Sequence, residues 1–170
     1  MKVKIGKYSK KTGDRKYKVK INSQDLYSAY ATLAIVILPL LKKFQRDKHG
    51  SPLVANEDVP ENLWRPENTG DWDTDENWHA RWDYVVKAMI WSFKQIHPAS
   101  KDWEDQFFSG EADYDFSECE ELDEDGRRLH EIKHGPNHTL QFDAEGHAAY
   151  SARIDNGLRL FGKYYRSLWI

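Results

Sequence analysis

Near the C-terminal end of the chain, Asn156, Arg159, Lys163 and Arg166 follow one another at spacings of three, four and three residues. On a helix, that spacing collects them into one polar, cationic stripe about 100° away from the apolar stripe of the same segment. Such a stripe can hold a phosphate through cations that keep their charge at neutral pH, and the neighbouring Tyr164 offers a flat face to a base. Gly157 and Gly162 lie inside the same stretch, where each costs about 1 kcal/mol relative to Ala, so something must come close to this backbone. A ligand phosphate or a partner chain is one reading, and a neighbouring helix with a solvated basic face is the other. A nucleotide also needs cations and aromatic faces from elsewhere in the chain, and Arg81, Trp64 and Trp78 supply them. The candidate ligand site therefore comprises His49, Trp64, Trp78, Arg81, Asn156, Arg159, Lys163 and Tyr164. It is placed where the last helix meets the loop around His49 and the start of the second helix. His134 and His138 flank another turn and offer either phosphate contact or turn hydrogen bonds.

Other chemistry is thinly represented. Asp75, His79 and Asp83 are four residues apart. This spacing can share a metal, and it equally suits an acidic helix start that offsets the dipole. No H-E-x-x-H or paired C-x-x-C motif accompanies them. Cys119 stands among Glu118, Glu120 and Glu121, whose charge disfavours a thiolate nucleophile. The carboxylates from Glu111 to Asp125 could include an acid/base pair, or they form a solvated loop. There is no G-x-S-x-G elbow, phosphate-binding P-loop or dinucleotide fingerprint. The expectation is a protein with no catalytic residues, no metal ligands and no cofactor.

The 170 residues suffice for one ordinary domain with a real core. A single cysteine cannot form a disulfide within the chain, which fits a reducing compartment. The opening Met-Lys-Val-Lys-Ile lacks the apolar region of a signal peptide. The longest apolar stretch, Ala29 to Leu41, falls short of the roughly 20 residues that a membrane span needs and reads as a buried helix. The net charge of −3 conceals an asymmetry. The first twenty residues carry nine Lys or Arg against Asp14 alone, and Glu111 to Asp125 carries nine carboxylates and no basic residue. Such polarity fits nucleic-acid contact or simply solvated faces.

The elements that must position these residues follow from periodicity. Val3, Ile5, Val19 and Ile21 alternate with Lys2, Lys4, Lys18 and Lys20, which predicts a half-buried hairpin turning at Lys11 to Asp14. Ser23 to Lys48 reads as a helix capped by Ser23 or Asp25, kinked at Pro39 and stopped by His49-Gly50 with Gly in the left-handed conformation. Residues 50–73 form an ordered loop. A second helix opens at Thr74 or Asp75, carries the core stripe Trp78, Trp82, Val85, Met89, Phe93 and Ile96, and ends at His97-Pro98. After Trp103, Phe107 and Phe108 come three strands with turns at Asp125-Gly126 and His134 to Asn137. Asp143 caps the last helix, whose buried stripe is Tyr150, Ile154, Leu158, Phe161, Tyr165 and Leu168. The whole reads as a single α+β domain over 1–170: an N-terminal β-hairpin, two helices, a three-stranded meander and a C-terminal helix, packed as one antiparallel or mixed sheet with helices. Its expected core is Val3, Ile5, Val19, Ile21, Leu33, Ile37, Val85, Met89, Ile154, Leu158 and Phe161.

Six strings carry a resemblance: His49-Gly50-Ser51-Pro52, Glu57-Asp58-Val59-Pro60, Arg81-Trp82-Asp83, Asp102-Trp103-Glu104-Asp105-Gln106-Phe107, His134-Gly135-Pro136-Asn137, and Asn156 to Tyr165 reading NGLRLFGKYY. Over nearly its whole length the chain resembles a family of small tailed-bacteriophage proteins. The resemblance implies action in the host bacterial cytoplasm and implies no particular chemistry. The chain departs from many relatives in having only a short turn near Gly13 where they carry an insert, and Tyr30-Ala31 where they carry Asp-His. Phage setting, small size and the Arg, Lys, Tyr and Trp inventory together lead to the expectation of an anti-defence protein. It would bind and sequester a small nucleotide immune signal without altering it, as a homo-oligomer that engages no membrane. A host-takeover protein that binds a host or phage protein or nucleic acid is the alternative. A metal-dependent nucleotide-processing enzyme centred on His79 and Asp83 is the third reading.

Overall fold

The computed structural model describes residues 1–68, 70, 73–100 and 103–170, and every side chain among them save those of Trp103, Glu118, Cys119 and Glu120. The reading of Cys119 thus lies outside the described side chains. The architecture is α+β, with an N-terminal hairpin and a C-terminal helix. The chain divides into two compact units, Met1–Lys101 with Arg153–Ile170, and Asp102–Ala152.

In the first unit, strands β1 (Lys2–Ile5) and β2 (Tyr17–Lys20) pair antiparallel. Gly13 takes a φ of 74° in the intervening turn, a conformation open to Gly without a Cβ penalty. The single long helix expected from Ser23 is instead a 3-10 turn, Ser23–Leu26, followed by helix α1 (Ala29–Asp47), with Pro39 inside it. Local side-chain bonds explain the break. The Asp25 carboxylate accepts the Asn22 N–H at 2.7 Å and caps the start of the turn, whereas the Thr32 hydroxyl donates to the Asp25 carbonyl at 3.1 Å, the acceptor that a continuous helix would offer to its own backbone. Helix α1 stops at an extended Lys48, and Gly50 does not adopt the left-handed conformation expected of it.

Residues from Asn56 to Leu63 make two short 3-10 turns, and helix α2 runs Trp78–Gln95. It buries Trp82, Val85, Val86, Met89 and Phe93, at the three- and four-residue spacing that places apolar groups on one face. These meet Leu38, Leu41 and Phe44 of α1, Val54 and Val59 of the loop, and Leu160 and Tyr164 near the chain end. Trp82 lies at the centre, edge-on to Phe44 at 6.1 Å and to Tyr164 at 5.7 Å.

Helix α3 (Ala144–Lys163) begins where Asp143 accepts the Gly146 N–H at 2.9 Å, the cap expected from sequence. Its buried line is Ile154, Gly157, Leu160 and then Tyr164. The expected phase is corrected accordingly: Leu158 and Phe161 are only partly buried, and Tyr165 is exposed. Gly157 is the cause. A Cβ there would stand 2.0 Å from Ser92 Oγ and 2.7 Å from the Ala88 carbonyl oxygen, so glycine alone admits this approach to α2.

The second unit holds β3 (Phe108–Ser109), β4 (Tyr114–Leu122), β5 (Arg128–His134) and β6 (Gln141–Phe142). Strands β4 and β5 form the expected hairpin, with Gly126 at φ 77° in its turn and an irregularity between Glu118 and Leu122. The expected third strand of a meander pairs with β3 instead. Among the described residues the strands therefore make three two-stranded ladders, not one sheet. The expected core changes for the same reason. A lone pair of strands buries little, so Val3, Ile5, Val19 and Ile21 stay exposed; Leu33, on α1, is exposed because it faces away from α2, and of the expected set Val85, Met89 and Ile154 are buried. Among the described residues no helix is long and apolar enough to cross a membrane.

Candidate functional site

The loop that follows α1 places one carboxylate, Asp58, against the end of α3, and its side chain is wholly excluded from solvent. Apolar neighbours Val54 and Val59 carry it inward. Burying such a charge is tolerable only with several donors, and three arrive from α3 and the residue after it. Arg159 Nη2 lies 2.7 Å from Oδ1, the Tyr164 hydroxyl donates to Oδ2 at 2.6 Å, and Lys163 Nζ stands 2.5 Å from Oδ2. The Tyr164 oxygen in turn accepts the Ala55 N–H at 3.1 Å, and Lys163 also reaches Glu57 Oε1 at 2.9 Å. Burial pushes the Asp58 carboxyl up, yet the bonds from Lys163, Tyr164 and Arg159 outweigh it and hold the group below its ordinary value. Burial, then the bond to Asp58, pushes the Tyr164 phenol up to about 12. Lys163 is raised by its bonds to Asp58 and Glu57.

The structure thus brings together four of the residues singled out from sequence, Asn156, Arg159, Lys163 and Tyr164, with Asn156 Oδ1 accepting from Arg159 at 2.9 and 3.1 Å. Their partner Asp58 was not singled out as a site residue. Its signal was the second of two adjacent acids, Glu57 and Asp58, in a stretch with Val54 and Ala55 before it and Val59 and Pro60 after it. Tyr164 is 6% exposed and belongs to the core, so it offers no stacking face, contrary to expectation. Arg81 is 1% exposed and spent internally, on Asp75 at 2.6 Å and the Leu63 carbonyl at 3.0 Å; it cannot reach a ligand phosphate. The bond from Arg81 holds the Asp75 carboxyl below its ordinary value. The Trp64 and Trp78 indoles donate to the carbonyls of Val59 and Ser51 at 3.1 Å each, and His49 is exposed.

Beside this cluster lies a cleft of about 690 Å³ whose lining includes Asn56, Glu57, Arg65, Glu67, Lys163 and Ser167. Its two cations face two carboxylates, so the cleft carries no surplus positive charge. The Asp75, His79 and Asp83 triad does not converge. Asp75 pairs with Arg81, His79 Nδ1 with Ser51 Oγ at 2.8 Å, and Asp83 with Lys48 at 2.5 Å.

Uncompensated positive charge sits elsewhere. The register of β1 and β2 sets Lys2 opposite Lys20 and Lys4 opposite Lys18, on one face of the hairpin. The four side chains surround a space of about 190 Å³, and among the described residues no carboxylate pairs with any of them. Like charges directly across a ladder repel one another. The same alternation was visible in the sequence as an outward lysine row. Comparison with family models, curated proteins and solved structures gives no match to this chain.

Proposed function

We propose that this chain is a non-catalytic binding protein that captures a phosphate-bearing ligand on the lysine face of its N-terminal hairpin, in the cytoplasm of an infected host. The single observation that carries this reading is the set of four facing lysines without a carboxylate partner among the described residues. The cations of α3 contrast with them, since Asp58 and Glu57 already neutralise Arg159 and Lys163. A phosphate needs charge-assisted donors that are not already satisfied, and the hairpin supplies them. A small nucleotide immune signal belongs to this ligand class, and the phosphate backbone of a nucleic acid is the other source.

Calorimetry with a panel of signalling nucleotides, and with short single- and double-stranded oligonucleotides at two salt concentrations, distinguishes the sources. Each charge-assisted bond contributes about 1.5–3 kcal/mol, and less at an exposed site, so Lys4→Ala with Lys18→Ala should weaken binding by at least about tenfold. Arg159→Ala should leave it unchanged. Mass spectrometry should recover the ligand unaltered. A nucleic-acid ligand would show log affinity falling with log salt at about −0.7 to −0.9 per phosphate neutralised. Absence of heat with every ligand, or equal affinity in the lysine variant, would overturn the reading.

A further inference from the structure

From Leu26 to Leu41 the chain has no charged residue, yet only Ala34, Leu38 and Leu41 of this stretch are buried. A helix apolar on all sides belongs inside a protein, and here, among the described residues, one side is left uncovered. At 100° per residue, Tyr30, Leu33, Ile37 and Leu40 fall within one stripe of α1, at spacings of three, four and three residues. This is the repeat by which two helices interlock side chains along a seam. Tyr30, Leu33 and Leu40 are each more than half exposed, and Ile37 is partly buried between them. Leu26 and Tyr27, in and just after the preceding 3-10 turn, extend the patch, with Tyr27 87% exposed.

We infer that this stripe is the contact between two copies of the chain, α1 against α1 about a two-fold axis. The five exposed side chains leave on the order of 700 Å² of surface, close to the roughly 800 Å² per partner of a standard interface. It also exceeds the few hundred Å² of contiguous apolar patch that a monomer ordinarily exposes. A two-fold contact places a surface against its own image, so it must be self-complementary. An uncharged apolar stripe at seam spacing meets that condition, because no residue in it repels its copy. The dimer carries two lysine faces, which raises the avidity for a multivalent ligand without any new contact.

Sedimentation equilibrium of the full chain tests the inference. The expected result is a dimer of twice the 20.0 kDa chain mass at micromolar concentration. Leu33→Lys with Leu40→Lys should weaken the dimer by at least about a hundredfold, because each association would bury unpaired ammonium groups. Both positions are exposed, so the far-ultraviolet dichroism of that variant should match the native chain. A second readout does not depend on folding of the lysine variant: Leu33→Cys in a Cys119→Ser background should cross-link copy to copy under mild oxidation, faster than Lys87→Cys on exposed α2 surface in the same background. A native chain that stays monomeric at about 100 μM overturns the inference, even if the stripe then proves to bind a different protein. So does a lysine variant that remains a dimer, or a Leu33→Cys chain that cross-links no faster than the Lys87→Cys control.

Discussion

Two glycines in one helix should respond to the same substitution with opposite signs. At Gly157 an added methyl would sit 2.0 Å from Ser92 Oγ, 2.7 Å from Ser92 Cβ and 2.7 Å from the Ala88 carbonyl oxygen. Ordinary contact distances lie near 3.5 Å, and one of these atoms is backbone, so rotating Ser92 cannot relieve the clash. Helix α3 must then retreat from α2 and loosen the packing of Ile154 and Leu160 on either side of position 157. Overpacking of this kind costs about 1–3 kcal/mol, and contact with backbone places it at the upper end. Ala recovers about 1 kcal/mol of helix propensity, leaving Gly157→Ala destabilised by about 2 kcal/mol. Among the described residues nothing stands within 4 Å of a Cβ at Gly162, and its φ is not positive. Gly162→Ala should therefore stabilise by about 0.4–1 kcal/mol, mainly by restricting the unfolded chain. Urea unfolding followed by tryptophan fluorescence measures both. A Gly157→Ala chain as stable as the native one would refute the close approach of α3 to α2, whatever Gly162→Ala does.

The Asp58 cluster makes stability depend on pH at both ends of the scale. Its carboxyl is held below its ordinary value, so its contribution is complete above an ordinary carboxylate pKa of about 4 and is lost as pH falls through the lower folded value. Tyr164, raised to about 12, favours the neutral phenol; its contribution is complete below about pH 10 and is lost as pH rises through 12. Asp58→Asn should cost about 1–3 kcal/mol at pH 7, below the roughly 3–5 kcal/mol of a fully buried pair because Arg159 and Lys163 retain access to water, and should flatten the acid limb of a thermal melt against pH. An unchanged acid limb would remove Asp58 as the group responsible. On the hairpin, Lys4→Ala with Lys18→Ala should raise the midpoint of thermal unfolding slightly while weakening phosphate binding, since it relieves one cross-strand repulsion. A lower midpoint would mean that the lysines are structural.

Where a local rule decided the outcome, the sequence was sufficient. The turns at Gly13 and Gly126, the cap at Asp143, the end of α2 before His97-Pro98 and the alternation of β1 and β2 all depend on residues within a few positions of one another. The failures required knowledge of a distant partner. The phase of α3 is set by Ser92 and Ala88, more than sixty positions away, and a scan for large apolar residues overlooks a face whose contact residue is a glycine. Tyr164 looked like a ligand-stacking residue because its neighbours are cations, and Asp58, more than a hundred positions earlier, decides that it is a core phenol. The core assigned to the hairpin failed because alternation says which residues share a face, and not whether anything covers that face.

The two cationic surfaces of the first unit show how partners distinguish structural from available charge. Arg159 and Lys163 looked the stronger candidates from spacing alone, since a helix fixes their geometry and glycines accompany them. In the folded chain they compensate a buried carboxylate, and removing that pairing to bind a phosphate would leave the buried Asp58 charge without a cation and with only the Tyr164 hydroxyl of its three side-chain donors, at a cost of about 3 kcal/mol or more. A ligand at that position must first offset this cost. Lys2, Lys4, Lys18 and Lys20 face the opposite balance: holding them together already costs energy, and an anion arriving among them relieves it. Binding is favoured where the free protein carries an unrelieved interaction that the ligand removes, and on this chain that condition is met at the hairpin and not at the last helix.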